Sequence, residues 1–255
     1  MSHATLPQPS LVTQTMLPHI VDAIDNADVS DKPFSHLFAQ QIFPANVYSE
    51  MLDNLPDPAT YEPKHEKQLP DGTYTRTYYQ LDRDGLAALP DHQRALWESV
   101  VDALLSEDFK VHVFRQLRKD LAFRFRTQDV EAIEASPRPR IVRDVSGYKI
   151  DPHPDTRKKA VTMMIYLPRD ERQKDLGTSL YKIQPSLQGL TSRRRWFKEV
   201  KRFPFIPNSA FAFAVNNCLR KKSWHGRELV EKNVGVRNSL VTTFYVPEAV
   251  NYDRY

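Results

Sequence analysis

The sequence is short of cysteine and of long apolar runs, and each shortage removes a class of protein. Cys218 is the only cysteine among 255 residues, so no internal disulfide can form, which suits a reducing compartment. The longest apolar stretches, residues 160–167 and 210–215, fall far below the roughly 20 residues that span a bilayer. No membrane helix is therefore expected. The N-terminus has no positively charged segment leading into an apolar stretch, so no secretory signal is read there and the expected location is cytoplasmic. Internal repeats are also missing. What the chain has is enough apolar residues, 40%, to bury a sizeable core.

Charge is divided unevenly. Residues 1–139 hold 13 Lys/Arg against 21 Asp/Glu, whereas residues 140–255 hold 23 against 11. The second part thus carries +12 within a chain of net charge +4, and a field of one sign concentrates ligands of the other.

The local patterns divide at the same place. The first ten residues are polar, and residues 11–27 have loose helical spacing that Pro18 should break. A globular domain is expected from residue 32, with a strand-then-helix pattern through residue 55 and Pro44 suited to a helix start. Residues 61–83 read as a loop or hairpin around the turn Pro70-Asp71-Gly72, and residues 86–117 as one or two helices. From Arg140 the pattern becomes short strands at residues 141–150, 160–167, 178–183, 197–205, 210–215, 224–230 and 236–246. Seven strands in about 107 residues leave no room for crossover helices, so a sandwich or barrel is expected.

Chemistry enters at His153-Pro154-Asp155, directly after a strand-like segment. Residues i and i+2 on extended backbone point to one side, so an imidazole and a carboxylate are aimed at one point. Alone the triplet is weak, since about 0.6 such triplets are expected by chance from 8 His and 20 Asp. Seventy residues later, however, another strand carries Trp224-His225-Gly226. Two histidines and a carboxylate make the facial triad that leaves positions open on non-haem Fe(II). Twelve residues further, Arg237-Asn238-Ser239 opens the last strand and places a guanidinium and a hydroxyl on one face. That pair is suited to a bidentate grip on a carboxylate.

This ordered set resembles the signature of the Fe(II)/2-oxoglutarate-dependent oxygenases, and residues 33–56, 207–213 and 223–226 resemble segments of their prolyl-hydroxylase-like members. The resemblance covers roughly residues 32–246 and implies an α+β, mainly β fold with a double-stranded β-helix (jelly-roll, cupin-like) core behind N-terminal helices. It implies a single domain over residues 32–255, with helical support at 32–139 and the core at 140–250, preceded by a flexible segment or helix at 1–31. It further implies Fe(II) on His153, Asp155 and His225, with 2-oxoglutarate and O2 as co-substrates. Arg237 and Ser239 would hold the distal carboxylate, with Tyr166 beside them; Tyr148, five residues before His153, reads equally as a pocket residue and as a core aromatic. Lys149 and Arg227 are alternatives to Arg237. No catalytic group beyond the metal ligands is implied. Halogenating members have Gly or Ala where Asp155 stands, so hydroxylation is expected. The long gap between Asp155 and His225 implies an insertion around residues 176–198.

The basic clusters Arg157-Lys158-Lys159, Arg193-Arg194-Arg195 and Arg220-Lys221-Lys222 flank these motifs. Each is an ordinary solvated face when taken singly, but the three together favour a small anionic metabolite as substrate. The alternatives are a prolyl-type hydroxylase acting on protein side chains and a basic nucleic-acid-binding protein. Nucleic-acid dealkylases of the family carry a second Arg where this chain has Thr243, which counts against nucleic acid. His112 alternates with apolar residues and reads as a structural histidine.

Overall fold

Helix starts follow from local chemistry. The Asp82 side chain accepts from Gly85 N, the Ser106 side chain accepts from Phe109 N, and Pro44 and Pro90 stand immediately before two further helices, all of which suit groups left orphaned at a helix N-terminus. The computed structural model describes residues 11–63, 68–184, 196–230 and 235–247. Its first part comprises α1 (Leu11–Asp25), β1 (Asp28–Ser30), β2 (His36–Gln40), α2 (Ala45–Asp53), β3 (Glu62–Pro63), β4 (Arg76–Gln80), α3 (Arg83–Ala88), α4 (Asp91–Leu105), α5 (Glu107–Gln116) and α6 (Arg118–Phe125). The second comprises β5 (Ser136–Asp144), β6 (Ile150–His153), β7 (Lys159–Tyr166), β8 (Ser179–Ile183), β9 (Phe197–Arg202), β10 (Ser209–Ala214), β11 (His225–Arg227) and β12 (Arg237–Tyr245).

Two sheets result, and every pairing in them is antiparallel. The larger runs β1-β2-β10-β7-β12-β5-β4-β3 and the smaller β6-β11-β8-β9. From β5 onward the chain passes back and forth between them, with β5, β7, β10 and β12 in the larger sheet and β6, β8, β9 and β11 in the smaller. The single expected strand over residues 141–150 is therefore two strands in different sheets. Gly147, at φ +86°, makes the corner between them in a backbone region that side chains rarely enter.

Period-two alternation explains how the larger sheet serves two layers. Ile141, Val161, Met163, Ile165, Leu240 and Phe244 join one core with the helices. Their neighbours Val142, Met164, Tyr166 and Val241 turn to the other face, toward the smaller sheet. On β10 the alanines 210, 212 and 214 lie on the helix side and Phe211 and Phe213 on the sheet side. Helix α1 runs through Pro18 without a break. Proline removes one donor, but Met16, Ile20 and Ile24 are fully buried in the helix-side core, and that packing outweighs the loss.

Phe244 is stacked on Phe109 at 5.9 Å and meets Phe114 edge-on at 5.2 Å, so it joins β12 to α5. Phe244→Ala should lower the unfolding free energy by about 3–5 kcal/mol, measured by urea denaturation at constant slope. A loss below about 1 kcal/mol would mean that this contact does not carry the helix layer.

Candidate metal centre

The end of β6 and the start of β11 are paired, with His225 directly opposite His153. Their rings lie 4.4 Å apart between centroids. Asp155 follows β6 by two residues and turns back to the same point. One ligand atom from each of His153, Asp155 and His225 lies within 4.8 Å of the others, which fits one small cation. Gly226 is needed for this pairing, because a Cβ there would stand 2.7 Å from the Ile150 carbonyl oxygen and 3.2 Å from the Tyr181 ring.

The imidazoles are already oriented for a metal. His153 Nδ1 lies 3.0 Å from the carbonyl oxygen of Asp151, and His225 Nδ1 lies 2.9 Å from that of Ser223. A carbonyl can only accept, so both Nδ1 atoms carry the proton and both Nε2 atoms keep a lone pair for coordination. Asp155 is held on both oxygens: Lys159 Nζ donates to Oδ1 and Thr162 Oγ1 to Oδ2, each at 2.7 Å. Burial pushes its carboxyl up, but His225, Lys159 and Thr162 outweigh this and hold it well below the usual carboxylate range. Burial, and then the neighbouring His153, pull His225 down to about 4. Two imidazoles with an ionised carboxylate are the donor set that Fe(II) takes. Helix α6 supports the turn, since Arg124 donates to the carbonyl oxygens of Arg157, Lys159 and Val215.

Away from the triad the cavity turns cationic. Arg76, Asp144 and Arg237 occupy one cross-strand row on β4, β5 and β12, and all three face inward. Asp144 is 0% exposed. It accepts from Arg76 Nε at 2.5 Å and Nη2 at 3.0 Å and from Arg237 Nη1 at 3.1 Å, and Arg227 Nη2 stands 3.0 Å away from the smaller sheet. Burial opposes ionisation of Asp144, yet Arg227 and Arg76, followed by Arg237, hold it down to about 2. Burial pulls the Arg227 guanidinium down to about 9 against the attraction of Asp144.

Each residue expected at the site has a definite place. Arg237 is buried beneath Phe205, 4.3 Å from its ring centroid, and its Nη1 also donates to Ser239 Oγ at 2.9 Å. The expected bidentate grip is not available, however, because Nε donates to the Leu176 carbonyl and Nη1 is committed to Asp144 and Ser239. Among the described residues only Nη2 is without a hydrogen-bond partner. Tyr166 lies under Arg237 with its hydroxyl bonded to Thr178 Oγ1 at 2.9 Å, and it is Thr178 that lines the cavity. Tyr148 is behind the wall, with the guanidiniums of Arg76 and Arg227 3.9 Å and 4.5 Å from its ring centroid.

Among the basic clusters, Lys159 lines the cavity, whereas Lys221 is tied to buried Asp120 and Lys222 lies over Trp224. Arg193, Arg194 and Arg195 lie outside the described residues. His112 pairs with Asp25 at 2.8 Å, as a structural histidine should. Sequence reading missed Arg76, Asp144, Arg140 and Thr178. A usable signal for two of them was Arg140-x-Val142-x-Asp144, which period-two alternation places on one face of a strand.

Comparison with solved structures places the fold. No family model and no curated protein matches the sequence. A prolyl-4-hydroxylase from Pseudomonas putida is similar over 91% of this chain and 99% of its own at TM-score 0.50, with 12% identity. A prolyl 4-hydroxylase from Phytophthora capsici is similar over 96% and 68% at 0.52, also with 12% identity. The non-heme alpha ketoglutarate dependent carbocyclase SnoK, from nogalamycin biosynthesis, is similar over 94% and 87% at 0.51, with 8% identity. This chain shares their fold.

Two measurements test the site. Co(II) titration followed by absorbance should saturate at one equivalent, and His153→Ala, Asp155→Ala or His225→Ala should each weaken it by about 10-fold or more; unchanged binding in all three would place the metal elsewhere. Asp144→Asn should lower stability at pH 7 by about 3–5 kcal/mol, because three guanidiniums lose a buried counter-charge. Asp144 has a depressed pKa in the fold, so its contribution is complete above the unfolded value of about 3.9 and is lost as pH falls through about 2. The gap between variant and wild type in urea melts should therefore narrow by about 2.6 kcal/mol over that window, and a constant gap would assign the loss to packing.

Proposed function

We propose that the protein is an Fe(II)- and 2-oxoglutarate-dependent oxygenase that hydroxylates a small anionic metabolite. The observation that carries the reading is a single cavity with two oriented imidazoles and an ionised carboxylate in one part and a buried arginine with an unpartnered Nη2 in another. In this reading the two sheets are the halves of a double-stranded β-helix. One domain runs from residue 32 to the C-terminus, with α1 added to its helical layer.

Bound Fe(II) with 2-oxoglutarate and O2 would supply the oxidation of a substrate C–H to C–OH, with release of succinate and CO2. His153, Asp155 and His225 leave the remaining metal positions open to these ligands. Arg237 Nη2 would meet the distal carboxylate of 2-oxoglutarate, with Ser239 holding Arg237 through Nη1 and Thr178 on the cavity lining. Lys159 and Thr162 hold the Asp155 oxygens in place. Phe213, whose ring is 4.4 Å from that of His225, and Met164 keep water from that wall. No further acid or base is needed.

The cavity volume is about 190 Å3, below the roughly 300–1,000 Å3 of sites for drug-sized ligands, which favours a small compound. Basic groups outnumber acidic ones on its lining, which favours an anion. Neither nucleic acid nor a membrane is needed, and among the described residues no helix is long and apolar enough to cross one.

Protein loaded with Fe(II) under argon and then given oxygen should convert 2-oxoglutarate to succinate, faster when the substrate is present in a metabolite extract. Arg237→Ala should raise the 2-oxoglutarate concentration for half-maximal succinate release by a factor corresponding to about 2–5 kcal/mol, and Tyr166→Phe should act in the same direction but less. Succinate release that survives complete metal removal, or none from the iron-loaded wild type, would sink the assignment.

A further inference from the structure

The arginine cluster holds more charge than one carboxylate of a co-substrate can compensate. Arg76, Arg227 and Arg237 surround the single carboxylate of Asp144, leaving two net positive charges on largely buried side chains. Pairing Arg237 with the distal carboxylate of 2-oxoglutarate, as in the reading above on which this inference rests, leaves one. The surplus is located by the hydrogen bonds. Arg237 and Arg76 donate to Asp144, whereas Arg227, only 3% exposed, meets it as an ion pair alone, Nη2 at 3.0 Å from Oδ2, with neither Nη atom making a hydrogen bond among the described residues. A buried guanidinium left in that state costs free energy unless a ligand completes it.

Arg227 is aimed where a substrate has to be. It follows the metal ligand His225 by two residues on β11, and both side chains line the same cavity. A second cation continues the surface. Arg140, half-buried on β5, also lines the cavity, its Nε is buried without a hydrogen-bond partner, and its guanidinium lies 5.0 Å from the centroid of Tyr78. Arg76 lies against the same ring at 5.9 Å, so Arg140 and Arg76 share the Tyr78 ring while Arg76 and Arg227 share the Asp144 carboxylate, and the three make a cationic wall.

We propose that Arg227, with Arg140, forms a second oxyanion site in this cavity, which binds a carboxylate or phosphate group of the primary substrate and so presents a neighbouring C–H to the metal. Arg76 is a positioning residue that holds Asp144 and the two rings.

The test uses the full chain loaded with Mn(II) and saturating 2-oxoglutarate under argon, titrated calorimetrically with inorganic phosphate and, separately, with acetate at constant ionic strength. At least one probe should bind saturably at one site, and the tighter of the two tells a phosphate-bearing from a carboxylate-bearing substrate. Arg227→Gln should weaken that binding by about tenfold or more, and Arg140→Gln by a smaller factor, while 2-oxoglutarate affinity falls by about tenfold only in Arg237→Gln. Because Arg140 makes no bond to Asp144, its variant keeps the test decisive if Arg227→Gln fails to fold. Absence of a saturable second anion, or equal losses of 2-oxoglutarate affinity in Arg227→Gln and Arg237→Gln, overturns the second site and leaves the oxygenase reading standing. Failure of wild type to bind 2-oxoglutarate overturns both.

Discussion

One buried carboxylate organises the interior. Asp144 touches arginines from β4 and β12 in its own sheet and from β11 in the sheet opposite, so it links the two layers at the cationic end of the cavity. Buried ion pairs contribute little net stability, because desolvation offsets most of the attraction. Their value is in the arrangements they exclude. Any shift of β12 or β11 by one residue would turn Arg237 or Arg227 out of the cavity and leave Asp144 short of a counter-charge. The registers that place Arg237 opposite Asp144 and His225 opposite His153 are thus specified by charge as well as by packing.

The same strand carries both chemistries. His225 and Arg227 are separated only by Gly226, whose missing side chain lets β11 press against β6 and beneath Tyr181. A candidate metal ligand and a buried cation are therefore held a fixed distance apart by backbone and not by a loop. Rigid spacing of this kind is what a reaction between two bound ligands needs, since positional errors near 1 Å are costly.

The legible parts of the sequence were those with short-range rules. His153-x-Asp155 states its geometry through two-residue periodicity, and the strands at β7, β8, β10 and β12 were bounded by turns and apolar runs. Helix α1 was expected to break at Pro18 because the local rule is firm, and it continued because Met16, Ile20 and Ile24 are buried by partners distant in sequence. Asp144 was hidden for a related reason. Its meaning rests on Arg76, Arg227 and Arg237, which lie 68, 83 and 93 positions away, and no local window relates them. The charge asymmetry between the two parts of the chain pointed to an anion. Arg140, Lys159, Arg227 and Arg237 of the cavity do come from the basic part, but Lys221 belongs to Asp120 and Arg76 comes from the acidic part.

Arg237 shows how the cluster alters the physics of recognition. An isolated arginine binds a carboxylate through two parallel N–H bonds, and its affinity is concentrated in that fork. Here Nε and Nη1 are already bonded, so a single nitrogen is left to meet an incoming oxygen directly. The remaining attraction is Coulombic and comes from the surrounding guanidiniums acting together in a medium of low dielectric. Asp144 limits that attraction without abolishing it, since it cancels one of three charges. It also stays ionised throughout the neutral range, so the surplus charge is not adjusted through this carboxyl. An anion is the charge type that would compensate a cluster in which, among the described residues, guanidinium donors of Arg227 and Arg237 are left unfilled.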